Sequence, residues 1–130
     1  MKKGDSFSQS FTASKEIHEM FMKIFKDQNR FHTDKSFAIS KGFKDKLVHG
    51  NILNGFLSYF IGECLPCKNA VIHSQYIEYS RPVYINDMLD LNVKIEETHE
   101  SVNVIDFKYY FKNQDNIKVA KGKFQLVQLT

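Results

Sequence analysis

The stretch Asn51–Glu63, NILNGFLSYFIGE, decides the architecture. Ile52, Leu53, Phe56, Leu57, Tyr59, Phe60 and Ile61 recur so densely that, wound as a helix, they cover most of its circumference rather than one stripe. Such a helix must be buried on nearly every side. Its polar exceptions, Asn51, Asn54 and Ser58, fall along one narrow face, and their side chains need partners inside the fold.

Downstream of Pro66 the period changes from helical to two. Leu89, Leu91, Val93 and Ile95 alternate with Asp90, Asn92, Lys94 and Glu96, and Ile105, Phe107, Tyr109 and Phe111 place bulky groups on one face. Both segments read as strands. Ala70–Tyr79 and Ile117–Leu129 are also extended, with less regular alternation, and Ser6–Thr12 adds a strand at the start. Upstream of the decisive helix, Ile17, Met20, Phe21, Ile24 and Phe25 recur at helical spacing behind the N-cap candidate Ser14, which predicts an amphipathic helix over Lys15–Lys26. Asp27–His32 lacks periodicity and reads as a loop, before a short helix from about Asp34 to Ser40.

One apolar helix with several antiparallel strands implies an α+β fold, a curved sheet wrapped around that helix. The 130 residues suit a single domain spanning 1–130, with no repeat or linker. One layer of sheet cannot cover every side of a helix, and an open sheet leaves unpaired edges, so a homodimer formed by edge pairing is expected.

Composition narrows the function classes. The hydrophobic share of 42% and charged share of 25% are those of a folded globular chain. There is no apolar run of about 18 residues, and Lys2-Lys3 leads into polar residues rather than a signal-peptide core, so a cytoplasmic protein without a membrane partner is expected. The net charge of +3 comes from lysines mixed with acids along the chain, which argues against nucleic acid as partner while suiting an anionic ligand such as a nucleotide-bearing thioester. Cys64 and Cys67 form a C-x-x-C after an apolar helix, where the dipole disfavours thiolate and no second pair completes a zinc site, so they read as structural. His18, His73 and His99 lack ligand-like spacing and read as surface or interface residues. The tyrosines Tyr76, Tyr79, Tyr84, Tyr109 and Tyr110 fit strand propensity.

Two constellations could carry chemistry. Asp27, Asn29 and His32 lie in one loop among Phe25, Phe31 and Phe37; an acid beside an imidazole can hold one water and move protons both ways. The plainer reading makes Asp27 a turn cap and His32 a satisfied polar residue. Val48-His49-Gly50-Asn51 precedes the apolar helix, where an unpaired backbone N–H at the positive end of the dipole can hold a developing oxyanion. Its plainer reading is that Gly50 allows a tight entry turn.

Together, Asp27-x-Asn29-x-x-His32-x-Asp34-x-x-x-Ala38, Gly42-Phe43, Val48-His49-Gly50, Gly55, Leu57-Ser58, Gly62, Leu65-Pro66 and Pro82-Val83 resemble the MaoC-like dehydratases, which include the (R)-specific enoyl-CoA hydratases. The resemblance runs from about Phe21 to Asp87. It implies a hot-dog fold, usually paired as a dimer, and reversible hydration of a trans-2-enoyl thioester to a 3-hydroxyacyl thioester. By that resemblance Asp27 and His32 are the catalytic pair around one water, and the Gly50 N–H is the oxyanion hole. Asn29, Ser58 and His49 support them. No metal or redox cofactor is implied; CoA or phosphopantetheine enters as part of the substrate, and an acyl-carrier protein is a candidate partner. The chain departs from the family pattern at Lys26, where glycine is usual, at Arg30, where proline is usual, and at Asn86-Asp87, where Gly-Asp is usual. Two other readings of the scaffold are an acyl thioesterase and a non-catalytic acyl-binding subunit.

Overall fold

The computed structural model describes all 130 residues, Met1–Thr130. In chain order the elements are β1 (Ser6–Thr12), α1 (Lys15–Phe25), α2 (Arg30–Thr33), α3 (Lys35–Ser40), α4 (Asn51–Tyr59), a π-helical turn (Phe60–Cys64), β2 (Ala70–Tyr79), β3 (Met88–His99), a 3-10 turn (Glu100–Val102), β4 (Val104–Lys112) and β5 (Lys118–Gln128). The strands form one antiparallel sheet in the order β1-β3-β4-β5-β2. Register shifts at Ile72/Ser74, Ile95/Glu97 and Phe111/Lys112 bend it, as an extra residue on one strand does.

Period-two alternation sets the inner face. Leu89, Leu91, Val93 and Ile95 of β3, with Ile105, Phe107, Tyr109 and Phe111 of β4, are buried against Ile52, Leu53, Leu57, Phe60 and Ile61 of the central helix. No helix is long and apolar enough to cross a membrane.

Four expectations need correction. The central helix is α-helical only to Tyr59 and widens into a π-turn closed by the Leu65 N–H on the Phe60 carbonyl at 3.2 Å. Pro66 drives Leu65 out of helical geometry, and the wider turn lets Phe60, Ile61 and Leu65 all reach the core. Nor is that helix covered all round: Asn51, Gly55, Ser58 and Tyr59 lie on its exposed flank, because one sheet layer meets only one side. On α1, Ile17, Met20, Ile24 and Phe25 are exposed, and the buried residue is His18. The apolar stripe of α1 thus adds to an open flank instead of facing the protomer's own core. Finally, the Asp27–His32 loop contains the helical turn α2, capped by the Asn29 side chain on the Phe31 N–H at 2.9 Å.

Candidate active site

The site forms where the end of α1, the turn α2 and the entry to α4 meet. Ser14 caps α1, and the helix stops at Lys26, which takes the left-handed conformation at φ 57. That backbone is easy for glycine and strained for lysine, which explains why glycine is usual here. Asn86 likewise holds φ 73 at the other glycine position. Both departures leave the turn geometry in place.

The reversal at Lys26 presents Asp27. One carboxylate oxygen accepts the Asn29 N–H at 3.3 Å, and the Asp27 carbonyl accepts the His49 Nε2–H at 3.1 Å. On α2, the His32 N–H donates to the Asn29 carbonyl at 2.8 Å, and the ring Nδ1–H donates to the Leu47 carbonyl at 2.7 Å. With Nδ1 donating, a neutral His32 ring has its lone pair on Nε2. The entry segment is itself pinned on both sides: the Leu47 N–H donates to the Phe31 carbonyl and the Val48 N–H to the Val83 carbonyl, each at 2.8 Å.

Ligand atoms of Asp27, His32 and His49 lie within 4.8 Å of one another. Beside them lies a cavity of about 600 Å³ whose lining includes Asp27, His32, His49, Gly50, Tyr79 and Arg81. The Gly50 N–H donates to no group of the chain and opens α4. The geometry therefore gathers an exposed carboxylate, a half-buried imidazole and a free amide around one space. The His32 and His49 rings stack at 3.8 Å and 24°, with one nitrogen of each bound to a backbone carbonyl.

Of the residues singled out in the sequence, Asp27, His32, His49 and Gly50 meet at the cavity, and Asn29 joins by capping α2. Ser58 does not. It is exposed, makes no side-chain hydrogen bond and stands about 12 Å of helix rise beyond Gly50; the α4 positions that share a groove with Asp27 are Asn51, Ile52, Asn54, Gly55 and Phe56. His18, read as a surface or interface residue, is only 2% exposed and donates Nε2–H to the His32 carbonyl at 3.0 Å. Its place one helical turn before the half-buried Phe21 was the available signal. Tyr79, read as an ordinary strand residue, leans over Gly50: a Cβ there would stand 2.8 Å from its ring. Cys64 and Cys67 are free thiols, and burial pushes Cys67 up, which suits a structural role.

Burial holds His18 and His49 below the ordinary histidine value of 6.5, and the Nδ1 of each is buried without a partner. Between the folded and unfolded values the unfolded chain binds more protons, so the contribution of these two rings to stability falls as the pH drops below about 6.5 and is gone once both are protonated in the fold. Thermal melts from pH 7.5 to 5 should show this decline, with a shallower slope for His18→Leu. An identical slope would exclude His18 as a contributor.

Comparison with known proteins identifies the family and the fold. The model of the MaoC-like domain matches residues 2–116. The chain is similar to an (R)-specific enoyl-CoA hydratase of Rhodospirillum rubrum, 30% identical over 95 residues, 73% of this chain and 66% of the relative. A hydratase of the same name from Aeromonas caviae is 29% identical over 62% of this chain and 60% of the relative, so in both cases the match takes in just under two thirds of the relative's length. A mitochondrial 3-hydroxyacyl-[acyl-carrier-protein] dehydratase of Arabidopsis thaliana is 29% identical over 95% of this chain and 75% of the relative. The solved structure of an (R)-hydratase from A. caviae superposes with TM-score 0.90 at 21% identity, covering 99% of this chain and 98% of that one, which establishes the hot-dog fold.

Proposed function

The chain belongs to the MaoC-like domain family, and from that membership we propose that it is a hydro-lyase adding water reversibly to a trans-2-enoyl thioester of CoA or an acyl-carrier protein. One observation carries the reading: Asp27 and His32 present their polar atoms within 4.8 Å of each other on the cavity that Gly50 also lines, where its N–H is unpaired.

In hydration, the Asp27 carboxylate and His32 Nε2 hold one water. Its oxygen bonds to the β-carbon as the pair takes one of its protons and the Cα=Cβ π electrons move toward the thioester oxygen; the pair then returns that proton to the α-carbon, and the product is the 3-hydroxyacyl thioester. Negative charge develops on the thioester oxygen during attack. An amide aimed at that oxygen stabilises the enolate-like transition state more than the substrate, which is what accelerates a reaction. The two residues act as one titrating unit, so neither is assigned as sole acid or base. Asn29 supports the pair by capping the turn that carries His32, and His49 by holding the Asp27 carbonyl.

The test is purified protein with crotonyl-CoA, following loss of the conjugated-enoyl absorbance, then longer and carrier-bound enoyl groups. Hydroxyacyl product supports the reading. Release of free thiol without it indicates a thioesterase, and no turnover of any of these substrates rejects the enzyme.

The working form in this proposal is a homodimer in the cytosol, where the two free cysteines stay reduced. The open flank supports it: Ile24 is 64% exposed, Phe25 67% and Tyr59 53%, and β1 and β2 are the unpaired edges of the sheet. Light scattering should give twice the 15.2 kDa protomer mass, and a monomer at micromolar concentration would refute the dimer.

A further inference from the structure

We infer that His18 is a positioning residue for the reaction, holding the turn that carries His32 by donating its Nε2–H to the His32 carbonyl; this rests on the reading of Asp27 and His32 above. Three histidine N–H groups bind three carbonyls and tie three segments into one frame. His18 of α1 binds the His32 carbonyl, His32 of α2 binds the Leu47 carbonyl, and His49 of the entry segment binds the Asp27 carbonyl. Two of these bonds bear on the proposed catalytic pair from outside. Of the three, His18 alone stands on a capped helix of three turns and does not line the cavity.

The frame matters because α2 has only four residues and cannot hold its shape alone. In the pattern this chain resembles, a proline follows Asn29, and its ring would fix the turn. Here the residue is Arg30. Asn29 nevertheless keeps φ −54 and ψ 140, the extended backbone that precedes a proline, and the Arg30 N–H donates to no group of the chain. The turn retains a proline-compatible shape without the ring, so its rigidity comes from elsewhere.

His18 supplies it. Its side chain is buried with one nitrogen paired and Nδ1 unpaired. An apolar side chain would fill the same space without that unpaired nitrogen, so packing alone does not account for an imidazole there. Its bond goes to the backbone of the residue whose ring faces the cavity. Arg30 adds a second, exposed tie from α2 to α3, with Nη2 3.3 Å from Asp34 and its guanidinium 4.1 Å from the Phe37 ring. That tie fixes α2 to α3 but not to the entry of α4.

The test compares His18→Leu, which keeps the volume and removes the donor, with His18→Gln, which keeps an N–H at similar reach, and with the double variant His18→Leu/Arg30→Pro. For each, kcat, KM and Tm are measured on the enoyl thioester that the wild type turns over, with nitrogen-15 NMR of the His32 ring. His18→Leu should lower kcat about tenfold through misplacement of His32, with KM little changed, Tm equal or higher, and the slow-exchanging His32 Nδ1–H signal lost. His18→Gln should retain most of the rate, and Arg30→Pro should restore it by fixing the turn through its ring.

Wild-type rate and an unchanged His32 signal in His18→Leu would overturn the inference. So would a rate loss that follows a fall in Tm, which marks a merely structural residue, or a loss that neither His18→Gln nor Arg30→Pro relieves. Should the wild type turn over no enoyl thioester, the functional reading fails by itself, and the His32 signal decides the role of His18.

Discussion

Replacing Asp27 by Asn is expected to lower kcat/KM on an enoyl thioester by roughly 10²–10⁴-fold, the usual contribution of a positioned proton-transfer group. The amide keeps the size of the carboxylate and an oxygen able to accept the Asn29 N–H now held at 3.3 Å, so the turn should survive. What disappears is the negative charge that holds and deprotonates the attacking water. His32→Ala should cost a similar factor, although it also removes the Nδ1–H bond to Leu47 and the stacking on His49. Because the pair acts on one water, the double variant should be scarcely slower than either single one. Kinetics on all three, with circular dichroism to verify folding, check this. Full activity of Asp27→Asn would end the hydratase mechanism, and full additivity would mean that the two residues do not share a water.

Gly50→Pro is expected to lower kcat by about 10²–10³-fold, the loss seen when one oxyanion donor is removed. The φ of −57 at this position already suits a proline ring, so the main change is the missing N–H. A Cβ at residue 50 also meets Tyr79, at 2.8 Å from Cζ and 3.0 Å from Cε1. Gly50→Ala separates the two effects, since it has the same Cβ contact and keeps the amide. The Tyr79 ring is partly exposed and can yield, so Gly50→Ala should lose only about tenfold, attributable to a shifted cavity wall. A folded proline variant no slower than the alanine one would remove the amide from the mechanism and leave Gly50 as a packing residue.

Much of this molecule is legible in its linear order. The alternation from Leu89 to Ile95 and from Ile105 to Phe111 identifies inner faces without reference to any partner, because successive strand side chains point to opposite sides. Asp27, His32 and the His49-Gly50 entry are each weak signals by spacing alone, and it is the resemblance to the MaoC-like pattern that joins them. Ser58 shows where spacing misleads. It falls on the polar line of the central helix, and Asn51 and Asn54 of that line border the groove beside Asp27, but Ser58 lies further along the helix and outside that groove.

The sequence by itself determined the strands, α1, α3 and the start of the central helix, together with the apolar faces and the residue types available for proton transfer, since these follow from local backbone geometry and side-chain chemistry. Only the tertiary structure decided which apolar faces are covered. Ile24 and Phe25 look like core on a helical wheel and are exposed, whereas His18 looks like surface and is buried. It also decided that three imidazoles lock α1, α2 and the entry of α4 together, because each bond joins residues 14 to 22 positions apart, a distance over which periodicity carries no information.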